Sequence, residues 1–203
     1  MALLMVHLLA ARKWAESIKR YEDCPEFYLG AISPDAMHIR YHDDKSRKDW
    51  FHLGNWLSPH PEQVAAYWRE HFTPFDAGYG IHVLTDAQWV PRFRRLCPEL
   101  LLPNGKLDSR QYYHDTVCTD FALLQEIPQA RFLLQTLKTA VPPQDHPLLT
   151  AEEIGQWRDQ TMEFYQAGCK CNAPAKSITP AYALNFLDAC QPMLLEIARR
   201  YLQ

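Results

Sequence analysis

Apolar residues recur three and four positions apart through most of this chain, and strictly alternating runs of strand length are hard to find. Just before the C-terminal segment, Thr179 and Pro180 suit the N-cap and the first position of a helix. Because amphipathic helices must bury their apolar faces against one another, the spacing predicts an all-α, multi-helix bundle. The clearest face lies in the C-terminal segment and comprises Leu184, Leu187, Cys190, Leu194, Ile197 and Tyr201.

Further helix boundaries can be predicted from capping residues and prolines. Thr150 followed by Glu153 forms a capping box, which marks the start of a helix. Between Cys24 and Trp56 the pattern is broken by glycine, proline and polar residues, which indicates short helices joined by ordered loops. The remaining helices are predicted over about 2–21, 61–72, 75–96 (bent at Pro91), 109–127 (ended or kinked by Pro128) and 130–140.

Size and charge restrict the functional class. A chain of 203 residues, 47% of them hydrophobic, suits one domain over 1–203. The net charge is −3 and no basic run exceeds two residues, so we expect no extended nucleic-acid surface. No apolar run reaches the ~20 residues of a transmembrane helix, and the apolar start lacks the basic residues of a signal peptide. We therefore expect a cytoplasmic protein; its oligomeric state stays open.

Six cysteines are scattered through a chain of 203 residues, which does not need disulfides for stability. Cys169 and Cys171 form a Cys-x-Cys pair, but no second pair follows at the spacing of a zinc ribbon. The sequence therefore predicts reduced thiols and gives this pair no special role.

A histidine and a carboxylate four residues apart, His82 and Asp86, lie within an apolar stripe. On a helix they share one face, and a buried carboxylate needs a cation or hydrogen-bond donors. Six histidines precede this pair, and three of them are candidates for the same site: His7, His38 and His52. His7 lies on the apolar face of the first helix. Pro34 stiffens the turn that carries Asp35. Imidazoles and carboxylates presented by several helices are typical of a metal site.

Three segments resemble the zinc-dependent phospholipase C family, in particular its short bacterial members, in a superfamily that includes the P1-type nucleases. These segments are Leu-Gly-Ala-Ile-Ser-Pro-Asp (29–35), Asp-Lys-Ser-Arg-Lys-Asp-Trp-Phe-His (44–52) and Gly-Ile-His-Val-Leu-Thr-Asp (80–86). The resemblance covers about residues 6–89. It implies an all-helical fold of the phospholipase C/P1 nuclease type, with clustered zinc ions that hydrolyse phosphodiester bonds.

The resemblance also implies a ligand set. Asp35, His52, His82 and Asp86 would hold one zinc or similar divalent ion, and Asp86 would bridge to a second ion with His7. The family's remaining ion uses a histidine soon after the His-x-x-x-Asp and then a His-x-x-x-Glu/Asp pair. Here no histidine lies between residues 82 and 114, and residue 118 is a cysteine. We therefore expect one to two ions, with Asp120 as a substitute ligand.

The predicted substrate is a small phosphoester, most plausibly a phosphodiester. Asp35 is the candidate catalytic residue, as ligand or general base. Arg40 or Lys45 would neutralise a phosphate, and His38 and His114 are the other candidate substrate-binding residues.

Two alternatives stay open. The first is a phosphohydrolase of the HD type, which uses a His-Asp doublet such as His42-Asp43 or His114-Asp115. The second is a non-catalytic metal-binding or degenerate helical module, which closure of the site would favour.

Overall fold

A computed structural model of the chain describes residues 3–42, 44–58 and 61–201. Over these residues the protein is all-helical, and the strand-like pairing is limited to an isolated bridge between Leu101 and Leu107. The all-α prediction is confirmed. The α-helices, numbered in chain order, are α1 Leu4–Ile18, α2 Pro25–Gly30, α3 Met37–Tyr41, α4 Lys48–Phe51, α5 Pro61–Glu70, α6 Pro74–Leu96, α7 Ser109–Glu126, α8 Pro128–Lys138, α9 Ala151–Ala167 and α10 Pro180–Tyr201, with 3-10 turns at Ser33–Ala36 and Pro98–Leu100.

The capping signals mark the helix ends as predicted. At the start of α9, Thr150 Oγ1 accepts the Glu153 N–H while the Glu153 carboxylate accepts the Thr150 N–H, which completes the capping box. Thr179 Oγ1 accepts the Tyr182 N–H before α10. Pro128 is the first residue of α8 and separates it from α7, since Ile127 between them has an extended backbone.

Helix α6 lies at the centre of the protein and continues through Pro91. Most of its side chains are buried from Phe75 to Phe93, as expected of a helix surrounded by others. It packs against α1, α2, α5 and α10, and the buried apolar side chains of these helices belong to one cluster. None of the helices in the described part of the chain is both long enough and apolar enough to cross a bilayer.

Helices α2 and α6 approach each other unusually closely because each contributes a glycine. A Cβ on Gly30 would lie 2.0 Å from the Phe75 carbonyl oxygen, and one on Gly78 would lie 1.9 Å from that of Phe27. The pair therefore packs backbone against backbone. One turn beyond Gly78, this contact brings His82 of α6 against the Ala31 carbonyl that follows α2.

The cysteines differ from the sequence expectation. Cys118 of α7 and Cys171 of the α9–α10 loop form a disulfide, so the prediction of reduced thiols is wrong for this pair. The two residues are 53 positions apart, and only the packing of the loop on α7 brings them together. The other cysteines are free.

Candidate metal centre

Three chain segments bring four side chains together in one buried group. His82 and Asp86 lie one turn apart on α6, Asp35 lies in the 3-10 turn after Pro34, and His52 follows the last residue of α4. All four side chains are buried, and one ligand atom from each lies within 4.8 Å of the others. This group could hold a metal ion.

The distances between imidazole nitrogens and carboxylate oxygens fit a shared cation. His52 Nε2 is 3.6 Å from Asp35 Oδ1 and 3.4 Å from Asp86 Oδ2. His82 Nε2 is 3.7 Å from Asp35 Oδ2 and 4.0 Å from Asp86 Oδ2. Nitrogen and oxygen ligands about 2.0–2.2 Å from a tetrahedral zinc are about 3.3–3.6 Å apart. Small movements of the four side chains would therefore bring all of them within bonding distance of one ion.

Backbone carbonyls orient the two imidazoles. His82 Nδ1 lies 2.8 Å from the Ala31 oxygen, and His52 Nδ1 lies 3.2 Å from the Lys48 oxygen. Because a carbonyl only accepts, each Nδ1 carries the proton and each Nε2 keeps its lone pair. Both Nε2 atoms are buried without a hydrogen-bond partner. Buried nitrogens of this kind are costly unless a ligand satisfies them, and histidines ligating metals are usually oriented in this way.

The charge states also suit a cation. Burial opposes ionisation of Asp35 and Asp86, but the Lys48 ammonium holds the pKa of both carboxyls below their ordinary range. Burial lowers the pKa of His82, with a further contribution from His7, and burial together with Lys48 lowers the pKa of His52. At neutral pH the group therefore presents ionised carboxylates and neutral imidazoles, which are the forms that bind metals.

His7 extends the group from α1. Its side chain is fully buried, its ring stacks on that of His82 with centroids 3.7 Å apart, and its Nε2 lies 3.4 Å from Asp86 Oδ1. Neither of its ring nitrogens has a hydrogen-bond partner. His7 thus faces the second oxygen of Asp86, and a bridge to a second ion stays a prediction.

Lys48 is a site residue that the sequence analysis missed. Its side chain is fully buried, with Nζ 3.2 Å from Asp86 Oδ2, 3.5 Å from Asp35 Oδ1 and 4.4 Å from the centre of the Trp56 ring. Burial lowers the pKa of this amine, but the two carboxylates outweigh that effect and raise it. The ammonium therefore neutralises one of the two carboxylate charges. Its four-residue spacing from His52 was the available signal.

The candidate substrate-binding residues lie outside this group. Arg40 donates from Nε and Nη2 to the Glu153 carboxylate at 2.6 and 2.7 Å. His38 is half-buried and contacts the His42 carbonyl through Nδ1. Lys45 is exposed and donates to the Tyr113 hydroxyl. Their assignment to a phosphate stays a prediction, and Arg40 would first have to leave Glu153.

Among the described residues of the two His-Asp doublets, which are His42, His114 and Asp115, none belongs to this centre. In the first doublet, Asp43 lies outside the described residues. In the second, the Asp115 carboxylate accepts the backbone N–H groups of Ser177 and Ile178, at 2.7 and 3.2 Å. His114 lies 3.4 Å from the same carboxylate. This doublet therefore anchors the α9–α10 loop on α7.

Asp120 is not among the side chains gathered at the centre. Its Oδ1 accepts the Met5 N–H at 2.9 Å, and its Oδ2 accepts the Tyr165 hydroxyl at 2.8 Å. With both oxygens occupied in this way, Asp120 connects α7 to α1 and α9. Burial raises the pKa of its carboxyl to about 7, although the two donors partly oppose the shift.

This raised pKa predicts a pH dependence of stability. Between about pH 4 and 7 the folded protein keeps a proton on Asp120 that the unfolded chain has lost, so the free energy of unfolding falls as pH rises toward 7 and is level above it. At ~1.4 kcal/mol per pH unit, the loss from pH 5.5 to 7 is about 2 kcal/mol, and little is added up to pH 8. Asp120→Asn can accept from Met5 and donate to Tyr165 without ionising. We expect urea unfolding to show this loss in the wild type and not in the variant; an equal loss in both would contradict it.

No family model, curated protein or solved structure matches the chain. The resemblance to the zinc-dependent phospholipases C therefore rests on the motif residues themselves.

Proposed function

We propose that the protein is a metal-dependent hydrolase of phosphoester bonds, in particular of phosphodiesters, with zinc or another divalent transition metal as cofactor. One observation carries the proposal. The buried Nε2 atoms of His52 and His82 lack hydrogen-bond partners and lie within 4.0 Å of the ionised Asp35 and Asp86 carboxylates. A merely structural ion pair would not require two such unsatisfied nitrogens in the interior.

Each residue of the group has a distinct task in this proposal. The first ion would be held by Asp35, His52, His82 and Asp86. A second ion would be held jointly by His7 and the other carboxylate oxygen of Asp86. A bound divalent cation would lower the pKa of water toward neutrality and offset the charge that builds on the phosphoryl oxygens. Because its pKa is lowered, the Asp35 carboxylate is a weak proton acceptor, so we assign it as a ligand and not as the general base.

A second candidate function is a non-catalytic metal-binding module. The observation that favours it is that the site is closed to solvent. At most 3% of each side chain is exposed for Asp35, His52, His82 and Asp86. A phosphoester therefore reaches the ion only if the protein opens around it, whereas a metal ion alone needs a much smaller path.

The test combines metal content with turnover. Protein purified without chelator should contain zinc or another divalent transition metal and should hydrolyse a chromogenic phosphodiester, bis(p-nitrophenyl) phosphate. His82→Ala and Asp86→Ala should each lose one equivalent of metal per chain and all detectable turnover, because each removes a ligand. His71→Ala, a histidine outside the group, is the matched control and should behave as the wild type.

Three results discriminate between the candidates. Wild-type protein that binds no metal, even after addition of zinc, would rule out both. Metal bound at the group without turnover would favour the non-catalytic module. Turnover that survives both His82→Ala and Asp86→Ala would place the reaction elsewhere in the molecule.

A further inference from the structure

A second group of potential metal ligands lies on α7 and the α9–α10 loop, and it shares no residue with the buried centre. Ligand atoms of His114, Cys118 and Cys171 lie within 4.8 Å of one another. Cys118 follows His114 by one helical turn, and His114 Nε2 is 3.7 Å from Cys118 Sγ. In a tetrahedral zinc site with ligands at about 2.3 Å (sulfur) and 2.0–2.1 Å (nitrogen), these atoms are about 3.6 Å apart.

The surroundings hold these ligands in place. Asp115 Oδ1 lies 3.4 Å from His114 Nδ1, a carboxylate–imidazole pairing like those that orient metal-binding histidines. The same carboxylate accepts N–H groups from Lys176, Ser177 and Ile178, which fixes the loop beside α7. These contacts do not depend on the bond between the two sulfurs, and they keep the loop that carries Cys171 beside α7.

A further sulfur is that of Cys169, two residues before Cys171; it lies outside the 4.8 Å group and joins it only if the loop moves. Cys169 Sγ accepts the Cys171 N–H at 3.3 Å, and its side chain is exposed. His114, Cys118 and Cys171 are each half-buried. Both a small reductant and a metal ion can thus reach the group, unlike the buried centre.

We propose that reduction of the Cys118–Cys171 disulfide converts this group into a binding site for a soft divalent metal such as zinc. His114 Nε2 and the sulfurs of Cys118 and Cys171 are its ligands, and Cys169 completes the tetrahedral shell. Three thiolates and one imidazole are a common zinc ligand set. The same two segments are then joined either by a covalent bond or by a metal ion, depending on the thiol status of the surroundings.

The reduction requires a dithiol as reductant. One of its thiolates attacks a sulfur of the Cys118–Cys171 bond, which forms a mixed disulfide and releases the other cysteine as a thiolate. The second thiolate of the reagent then attacks the reagent sulfur of the mixed disulfide and releases the remaining cysteine. Two electrons and two protons pass to the protein, so that both cysteines become thiols and the dithiol becomes a cyclic disulfide. Each cysteine then releases its proton when its thiolate binds the metal.

Cobalt(II) tests the proposal because a thiolate ligand produces a near-ultraviolet charge-transfer band that oxygen and imidazole ligands do not. The His/Asp centre contains no sulfur, so its occupancy cannot mimic the signal. Wild-type protein is first reduced with a dithiol, which is then removed. The band should develop when one equivalent of cobalt is added beyond the amount that the His/Asp centre binds. Protein kept oxidised should not. Zinc should displace the cobalt and remove the band.

Variants identify the ligands. Cys118→Ser and Cys171→Ser should each weaken cobalt binding at least tenfold and reduce the band, and Cys169→Ser should weaken binding without abolishing the band. Cys24→Ser, which removes a free cysteine outside the group, should leave both unchanged. The proposal is overturned if reduced wild-type protein shows no band, or if Cys118→Ser and Cys171→Ser bind cobalt as the wild type does. Neither result bears on hydrolysis by the buried centre.

Discussion

Lys48→Met should destabilise the metal-free protein by about 3–5 kcal/mol, because it leaves two buried carboxylates without their cation. The Lys48 ammonium lies 3.2 Å from Asp86 Oδ2 and 3.5 Å from Asp35 Oδ1, and all three side chains are at most 3% exposed. Methionine fills a similar volume without charge. Urea unfolding in the presence of a chelator measures the loss of unfolding free energy directly.

Zinc should reverse this loss if the same carboxylates hold a metal. In the wild type, a divalent ion enters beside an ammonium that repels it; in Lys48→Met it replaces the missing charge. We therefore expect at least tenfold tighter zinc binding in the variant. Free zinc at 100 times its dissociation constant should restore about 2.7 kcal/mol of unfolding free energy.

The control is Lys45→Met, since Lys45 lies three residues earlier and is exposed. It should change the free energy of unfolding by less than about 1 kcal/mol. A destabilised Lys48→Met that zinc does not rescue would mean that the ammonium alone satisfies the carboxylates and that the group is an internal ion pair. If Lys48→Met is as stable as the wild type in the absence of metal, the Lys48 ammonium does not stabilise the two buried carboxylates.

The sequence could indicate His82 and Asp86 because their relation is local. Four residues on one helix fix their separation, and His82 Nε2 indeed lies 4.0 Å from Asp86 Oδ2. His7 could be oriented inward in the same way, from the apolar stripe of α1. Asp35 and His52 have no such local relation to α6. Their residue types and the Pro34 turn made them candidates, and the family resemblance assigned them to one ion with His82 and Asp86.

Lys48 has one weak local signal, its four-residue spacing from His52, and its neighbours in the sequence indicate a solvated residue instead. It stands in a strongly charged segment from Asp44 to Asp49, and such segments are usually solvated. Its burial is determined by carboxylates 13 and 38 residues away in the sequence. The hydrogen bonds of Asp120 and the Cys118–Cys171 disulfide could not be predicted from the sequence for the same reason. Both connect segments that only the tertiary fold brings together.

Helix positions were easier to predict than helix spacing. Caps at Thr150 and Thr179 are short-range signals, and the structure confirms both. The close approach of α2 and α6 depends on Gly30, which the sequence shows as a break in the helical pattern, and on Gly78, which lies inside a predicted helix. Nothing local in the sequence pairs the two glycines. Yet this approach sets the position of the Ala31 carbonyl that orients His82.

Gly78→Ala should therefore destabilise the protein by about 3 kcal/mol, although alanine normally favours a helix over glycine by about 1 kcal/mol. The new Cβ would lie 1.9 Å from the Phe27 carbonyl oxygen, and a backbone atom of a packed helix cannot rotate away. Helices α2 and α6 must separate, which lengthens the 2.8 Å contact between His82 Nδ1 and the Ala31 oxygen. We expect weaker zinc binding as well as a lower free energy of unfolding, both measurable in a urea titration with and without zinc.

Gly155→Ala is the matched control, because it makes the same change within α9 where space is available. The nearest atom to a Cβ there is Pro142 Cγ at 3.6 Å, an ordinary van der Waals contact. Only the helix propensity then changes, so this variant should gain up to about 1 kcal/mol and leave zinc binding unaltered. Opposite signs for the two substitutions would show that the spacing of α2 and α6 matters beyond helix propensity. A Gly78→Ala protein as stable as Gly155→Ala would show that the two helices can separate at no cost, and the metal centre would not depend on their contact.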